Sequence, residues 1–280
     1  MPDTAGIVLA GGHSSRMGTA KAALEWHGST LLRRTAGILA RVADGPVLVV
    51  RAPRQELPAL PPQVEVVADP AEGLGPVQGL AAGLAALSGR ADIAFVSSTD
   101  MPFLHPAFVR RVLRAAADGA DVSLPLARGH PQPLAAAYRV TLAPVAARLA
   151  AERRLRLALL FEQCLVARLD EAALRADPVL AALDPDLDSV INVNSPGDYA
   201  QARARQAPEV TVQRFGTLAD GHRGPHSVRA ATVAGAAAAT GLALDGHVVA
   251  ALNGDQITRD GEMPLAAGDT VFFLPADAAG

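Results

Sequence analysis

The 280-residue chain has a single cysteine, Cys164, so no internal disulfide can form and a zinc site built on Cys-x-x-Cys is excluded. A reducing compartment, the cytoplasm, is the simplest expectation. No apolar run reaches 18 residues, and the N-terminus lacks a basic region followed by a long apolar stretch, so neither membrane insertion nor export is signalled. Charge of one sign is also scarce. The formal net charge is −3, with no broad basic field, so nucleic acid is not an expected partner. The 7 histidines show no metal-ligand spacing.

Lysine is the sharpest scarcity. Of 25 basic residues 24 are arginine, and Lys21 is the one lysine in the chain. A chain that uses arginine wherever a generic cation suffices would keep one compact ammonium for a site with a geometric demand. The alternative is chance placement on an exposed loop.

What the chain does have, 50% apolar and 19% charged residues over this length, fits one large or two smaller cores. Short β-branched runs alternate with helical patterns from the start. Strands are predicted at residues 6–9, 46–50, 64–68 and 93–97, and helices at 30–42, around Leu80, Leu84 and Leu87, and at 106–117. Several of these strands are continuously apolar, as in a parallel sheet covered on both faces. Further strands are predicted at 122–125 and 134–138, and helices at 142–151 and 156–163. A Pro/Asp-rich loop at 177–188 then leads to a last helix capped by Ser195 with Pro196 in its first turn.

After Arg205 the pattern changes. EVTVQRF alternates, ATVAGAAAATGL is helical, Asn253-Gly254 marks a hairpin and DTVFFLP is a final strand, so residues 1–206 and 207–280 are expected as two domains. Charge marks the same boundary. Residues 210–280 carry 4 arginines against 7 acids, whereas the first 209 residues balance at 21 each.

The first strand runs into LAGGHSSRMGTAK, residues 9–21. It is not a Walker A loop, because Gly18 is followed by Thr19, nor a Gly-x-Gly-x-x-Gly fingerprint, because Gly11 and Gly12 are adjacent. Its ingredients are still those of a polyphosphate site. Gly11 and Gly12 let backbone N–H groups approach an anion, Ser14 and Ser15 add hydroxyls, and Arg16 and Lys21 add cations. At the end of the strand IAFV, Asp100 in SSTDMP can reach a magnesium ion shared with phosphate oxygens, or can simply cap the following turn. Asp69 and the loop Gly75-Pro76-Val77-Gln78-Gly79 follow another strand, and their glycines admit a base or ribose.

Taken in order, LAGGHSSRMGTAK, VVADP, GLGPVQG, STDMP, HPQPLAAAY and NVNSPGDY resemble the molybdenum cofactor guanylyltransferase family over residues 5–205. The resemblance implies a Rossmann-like α/β nucleotidyltransferase domain with a mostly parallel sheet. It implies an enzyme that transfers GMP from GTP to molybdopterin, releasing pyrophosphate and using Mg²⁺. By the same resemblance Leu9, Ala10 and Gly11 contact the nucleotide, Lys21 contacts phosphate, Asp69 contributes to GTP binding and Asp100 binds GTP and Mg²⁺. The Gly75, Pro76 and Gly79 loop is similar to that of the guanine-using form. Catalysis would rest on Arg16, Lys21 and Asp100. Ala20 stands where many relatives carry an acidic residue. For the pterin side the candidates are His130 and Gln132 within 129–137, and Asn192 and Asn194, although an Asn-x-Asn before a capped helix is also ordinary turn chemistry.

The tail resembles the ubiquitin-like sulfur carriers, the small subunit of molybdopterin synthase and its thiamine-pathway relative. It carries VTVQRFGTLAD, ATVAGAAAATGL, VVAALNGDQITRD and PLAAGDTVFFLP. The resemblance implies a small α+β β-grasp domain that meets the synthase large subunit or a carrier-activating enzyme. Those carriers end in Gly-Gly, whereas this sequence ends Ala279-Gly280, leaving Gly280 as a carrier terminus or the tail as a binding module. Two other functions stay open: a nucleotidyltransferase using CTP or a sugar phosphate, and a non-catalytic scaffold recruiting partners through the tail.

Overall fold

The structure, a computed structural model, describes residues 3–11, 21–70, 75–219 and 224–276. The chain divides into two compact units, Met1–Leu24 with Thr30–Tyr199, and Glu25–Ser29 with Ala200–Gly280.

β1 (Thr4–Leu9) of the first unit is followed in the chain by a short hairpin, β2 (Glu25–Trp26) and β3 (Ser29–Thr30), whose residues 25–29 belong to the second unit, and then by α1 (Leu31–Ala40), whose first turn is capped by Thr30 Oγ1 accepting from Arg33 N. The alternation continues through β4 (Val47–Arg51), β5 (Val64–Ala68), α2 (Gly75–Ala86), β6 (Ile93–Ser98) and α3 (Pro106–Ala117). Next come β7 (Val122–Ala127), β8 (His130–Pro131), β9 (Ala135–Arg139), α4 (Ala143–Ala151), α5 (Ala158–Phe161) and β10 (Val166–Leu169). The short helices α6 (Glu171–Arg175), α7 (Pro178–Leu183) and α8 (Pro196–Ala204) follow.

Seven of these strands lie in the order β10-β7-β9-β6-β1-β4-β5, with β8 paired to β7. Every pairing along that path is parallel except the two made by β9, so the sheet is mostly parallel, as its continuously apolar strands require. Apolar side chains of α1 and α3 pack on one face and those of α2 and α4 on the other, giving two cores. The chain passes from β1 outward to β4 and β5, then returns to the opposite side of β1 as β6. Beside β1 the strand order therefore reverses, and the carboxyl ends of β1 and β6 flank the crevice where ligands of open α/β sheets bind.

The differences from the sequence expectations are local. The β2–β3 turn uses His27 (φ 43°) and Gly28 (φ 94°), a left-handed pair without the usual Asn-Gly or Asp-Gly signal. The Pro/Asp-rich stretch read as a loop contains α7, because Asp177 Oδ1 accepts from Leu180 N at 2.9 Å and Pro178 fills the first helical position. Nothing in the period of β9 revealed that it runs antiparallel.

In the second unit β11 (Glu209–Arg214), β12 (His226–Arg229), α9 (Val233–Ala239), β13 (Val248–Leu252), β14 (Gln256–Thr258) and β15 (Thr270–Pro275) form a sheet ordered β12-β11-β15-β13-β14. Central β11 and β15 are parallel, and the other neighbours antiparallel. Val233, Ala236 and Ala237 of α9 share a core with Val210, Val212, Val271 and Phe273. The β13–β14 turn is the expected one: Asn253 (φ 55°) and Gly254 (φ 92°) are both left-handed.

Helix α2 approaches β1 closely because Gly83 offers no side chain. A Cβ there would lie 2.9 Å from Ile7 Cδ1 and 3.0 Å from Ile7 Cγ2. Gly83→Val is expected to destabilise the chain by about 2 kcal/mol through overpacking, read as a lower urea midpoint. An unchanged midpoint would show that the contact yields freely.

Candidate functional site

Three chain segments converge at the carboxyl ends of β1, β4 and β6. The first, residues 9–11, leaves β1 with both of its carbonyls tied down. Thr99 Oγ1 donates to Leu9 O at 3.2 Å, and Gln55 Nε2 donates to Ala10 O at 2.9 Å. Gln55 is itself held, its Oε1 accepting from Ala52 N at 2.9 Å. Ala10 N continues the ladder to Val50 O, and a Cβ on Gly11 would meet Ala52 N at 3.4 Å, so Gly11 passes against the backbone beyond β4. Gln55 was not legible in the sequence, since a lone glutamine between short strands matches no motif.

The second segment is the turn after β6. Ser98 Oγ donates to Asp100 Oδ1 at 2.5 Å, and Lys21 Nζ donates to Asp100 Oδ2 at 2.9 Å. The pair is half-buried, with side-chain exposures of 23% for Lys21 and 16% for Asp100. Asp100 does not merely cap a turn: its carboxylate faces the sole lysine, 79 positions away in the chain. Arg34, buried in α1, donates its Nε–H to Pro102 O at 2.7 Å and so fixes the backbone two residues beyond Asp100.

The third segment, residues 184–198, runs beside that turn. Val193 N donates to Asp100 O at 2.9 Å, and His105 N donates to Ser189 Oγ at 3.0 Å. Asn194 Oδ1 accepts from Lys21 Nζ at 2.9 Å. The motif's other asparagine behaves differently: Asn192 Nδ2 donates to Val190 O at 3.1 Å, ordinary turn chemistry. Helix α8 begins with a reciprocal cap, Ser195 Oγ accepting from Asp198 N while Asp198 Oδ2 accepts from Asn194 N and Ser195 N. The Ser-x-x-Asp spacing carried that signal, and Asp198 is the site-supporting residue the sequence reading passed over.

The remaining candidates distribute unevenly. Asp69 N is bonded to Arg51 O, and a Cβ built on Gly79 would lie 3.8 Å from Asp69 Oδ2, so these two are neighbours. That same Cβ would lie 3.2 Å from Leu9 Cδ2, which accounts for glycine at 79 by helix-on-strand packing. Gly75 has φ +64°, a left-handed start to α2 that favours glycine, and Pro76 follows it inside the helix. His130 is exposed on β8, and Gln132 Nε2 donates to Ala127 O, closing the β7–β8 turn. Among the described residues neither side chain hydrogen-bonds to Lys21, Asp100 or Asn194. Gly12, Arg16, Ala20 and Gly280 lie outside the described residues.

A family profile described as MobA-like NTP transferase domain matches residues 6–171. The chain belongs to this family. Among named relatives, a probable molybdenum cofactor guanylyltransferase of Opitutus terrae is 37% identical over 205 residues, covering 72% of this chain and 96% of the relative. One of Mycobacterium tuberculosis is 44% identical over 149 residues, 51% of this chain and 72% of the relative. Two solved structures share the fold over much of the chain. Molybdopterin-guanine dinucleotide biosynthesis protein A from Archaeoglobus fulgidus has a TM-score of 0.56 at 22% identity, covering 71% of this chain and 96% of that one. The 2-C-methyl-D-erythritol 4-phosphate cytidylyltransferase of Thermus thermophilus has a TM-score of 0.51 at 20% identity, with the same coverages. This MobA-like transferase is thus built on a fold shared by enzymes of different names, and the fold alone does not select the nucleotide. No described helix is long and apolar enough to cross a membrane.

The Asp198 carboxyl is held below its ordinary value, chiefly by the Asn194 backbone N–H and the Ser195 hydroxyl, with Lys21 adding a smaller attraction. A lowered carboxyl stabilises the fold above its unfolded pKa, and that stabilisation is lost as pH falls through the folded value. A carbon-13 titration of Asp198 should therefore show a midpoint below 3.8, the ordinary value, and a midpoint at or above it would rule out the reciprocal cap.

Proposed function

We propose that the chain transfers GMP from GTP to molybdopterin, releasing pyrophosphate, in the making of molybdopterin guanine dinucleotide. The observation that carries this reading is the Lys21–Asp100 pair at 2.9 Å, set where the strand order reverses, in a chain whose relatives bear the guanylyltransferase name.

The chemistry asks little covalent work of the protein. An oxygen of the acceptor phosphate, already an anion, attacks the α-phosphorus of GTP. A new P–O bond forms, the bond from the α-phosphorus to its bridging oxygen breaks, and that oxygen leaves with pyrophosphate. Positioning and charge neutralisation supply the catalysis. Lys21 would hold a phosphate oxygen, with Arg16 as a second cation on the same loop. The backbone around Leu9, Ala10, Gly11 and Gly12, with Asp69 and the Gly75, Pro76 and Gly79 turn, would hold the nucleoside. His130, Gln132, Asn192 and Asn194 are the candidates for the pterin side.

A divalent ion fits the donor set. Among the described residues no cluster of three or more His, Cys, Asp or Glu could cage a metal, whereas Mg²⁺ is commonly bound by one or two carboxylates plus substrate phosphates and water. Asp100, half-buried at the strand end, is the carboxylate to hold it. When bound, the ion would offset charge gathering on the departing pyrophosphate.

For residues 207–280 we propose a ubiquitin-like β-grasp domain that contacts the synthase large subunit or a carrier-activating enzyme. The order β12-β11-β15-β13-β14, with parallel strands at the centre and one helix packed on the sheet, supports this reading. Incubation with ATP, a sulfide donor and an activating enzyme tests carrier activity at Gly280. A thiocarboxylate mass would establish a working carrier, and no mass shift would leave the binding role.

For the transferase, pyrophosphate release with molybdopterin should be faster from GTP than from CTP. Asp100→Ala should abolish it, and Lys21→Ala should lower it by about a hundredfold or more, the scale of losing a charge-stabilising group. Faster turnover with CTP would overturn the guanine assignment, and near wild-type rates in either variant would overturn the site.

A further inference from the structure

We propose that Asn194 is a positioning residue for Lys21, and that residues 184–198 serve as a strap that fixes the ammonium and the Asp100 carboxylate in one frame. This inference rests on the nucleotide-transfer reading above and moves Asn194 from the pterin side to the triphosphate side.

An ammonium has three donors and no acceptor, on a flexible four-carbon stem. Described residues engage two of those donors, Asp100 Oδ2 and Asn194 Oδ1, both at 2.9 Å. A phosphate oxygen is the partner we assign to the third. The amide must present its oxygen to Lys21, because lysine cannot accept. Asparagine thereby orients the ammonium without placing a second carboxylate beside an incoming triphosphate. The same geometry explains why this position is lysine in a chain that otherwise uses arginine. A planar guanidinium fork suits two acceptors in one plane and not three spread around a point.

The strap gives Asn194 a rigid base. Its backbone N–H is held by Asp198 Oδ2 at 2.9 Å, and the preceding N–H, that of Val193, bonds Asp100 O. Upstream, buried Asp184 accepts from Asp188 N at 2.7 Å and Ser189 N at 3.2 Å, and the Ser189 hydroxyl holds His105 N, five residues past Asp100. Thus Asn194 and Asp100 are fixed to each other through backbone while both hold Lys21 through side chains.

The test is GTP binding by calorimetry with Mg²⁺ and no acceptor, comparing wild type, Asn194→Ala, the near-isosteric Asn194→Leu, Lys21→Ala and the double variant Asn194→Ala/Lys21→Ala. Thermal unfolding serves as a fold control. Asn194→Ala and Asn194→Leu should each weaken GTP roughly tenfold, the scale of losing a hydrogen bond to a charged group. The Asn194 substitution should add little once Lys21 is gone, because its effect passes through the ammonium. The KM for molybdopterin should stay at the wild-type value. Additive losses in the double variant, or a raised molybdopterin KM with unchanged GTP affinity, would overturn the proposal. If wild type binds CTP and not GTP, the guanine reading fails while the same coupling, measured with CTP, still decides the role of Asn194. A chain that binds neither triphosphate overturns both.

Discussion

Everything at the site depends on β1 being hydrogen-bonded on both sides. Its parallel register with β4 runs from Gly6 opposite Val47 to Leu9 opposite Val50, and with β6 from Thr4 opposite Ile93 to Leu9 opposite Ser98. Leu9 is thus level with the ends of both neighbours, and the chain that leaves it emerges between them. That alignment brings Asp100, two residues after Ser98, within reach of the loop that returns at Lys21. A register slip of one residue would turn every apolar side chain of β1 to the other face. Two cores therefore enforce the placement of one carboxylate.

The balance of charge suits this arrangement. Arginine and acid cancel over the first 209 residues, so the field at the crevice is set by local groups. A half-buried ion pair such as Lys21–Asp100 gains little net stability once desolvation is counted, and its value is geometric. Ser98 on one carboxylate oxygen and Lys21 on the other leave Asp100 a single orientation. The supporting bonds come from α1 through Arg34, from the strap through Val193 and from the turn itself. Sites built this way keep their shape because each functional group is held by a partner that does not meet the substrate.

Much of this was legible in the sequence because the signals were local. Continuous apolar strands, helix periods, the Asn253-Gly254 turn and the Ser195-Pro196 helix start all depend on neighbours within a few positions, and each corresponds to an observed element. The motif residues Lys21 and Asp100 stood out by residue type, and the structure brings them together at 2.9 Å. What sequence could not reveal was pairing at long separation. Gln55 reaches Ala10 across 45 positions, Arg34 reaches Pro102 across 68, and Asn194 reaches Lys21 across 173. None of those partners has a local pattern, and the antiparallel direction of β9 is equally a property of the assembled sheet. The two asparagines of NVNSPGD illustrate the limit: identical by type and two residues apart, one closes its own turn and the other binds the lysine.

The second unit follows the same logic with a different outcome. Its hairpin segment Glu25–Ser29 comes from early in the chain, with Glu25 paired to Arg203 at 2.6 Å and the Ser29 hydroxyl donating to Glu262 at 3.3 Å. This segment begins four residues after Lys21, and α1 with its buried Arg34 follows it directly. The polypeptide that carries the site's ammonium therefore runs through the second unit before returning to the helix that steadies Asp100. A tail appended by a simple linker would leave the transferase sequence uninterrupted. Removing residues 207–280 would take Glu262 from the Ser29 hydroxyl, whereas Arg203, the partner of Glu25, precedes that segment.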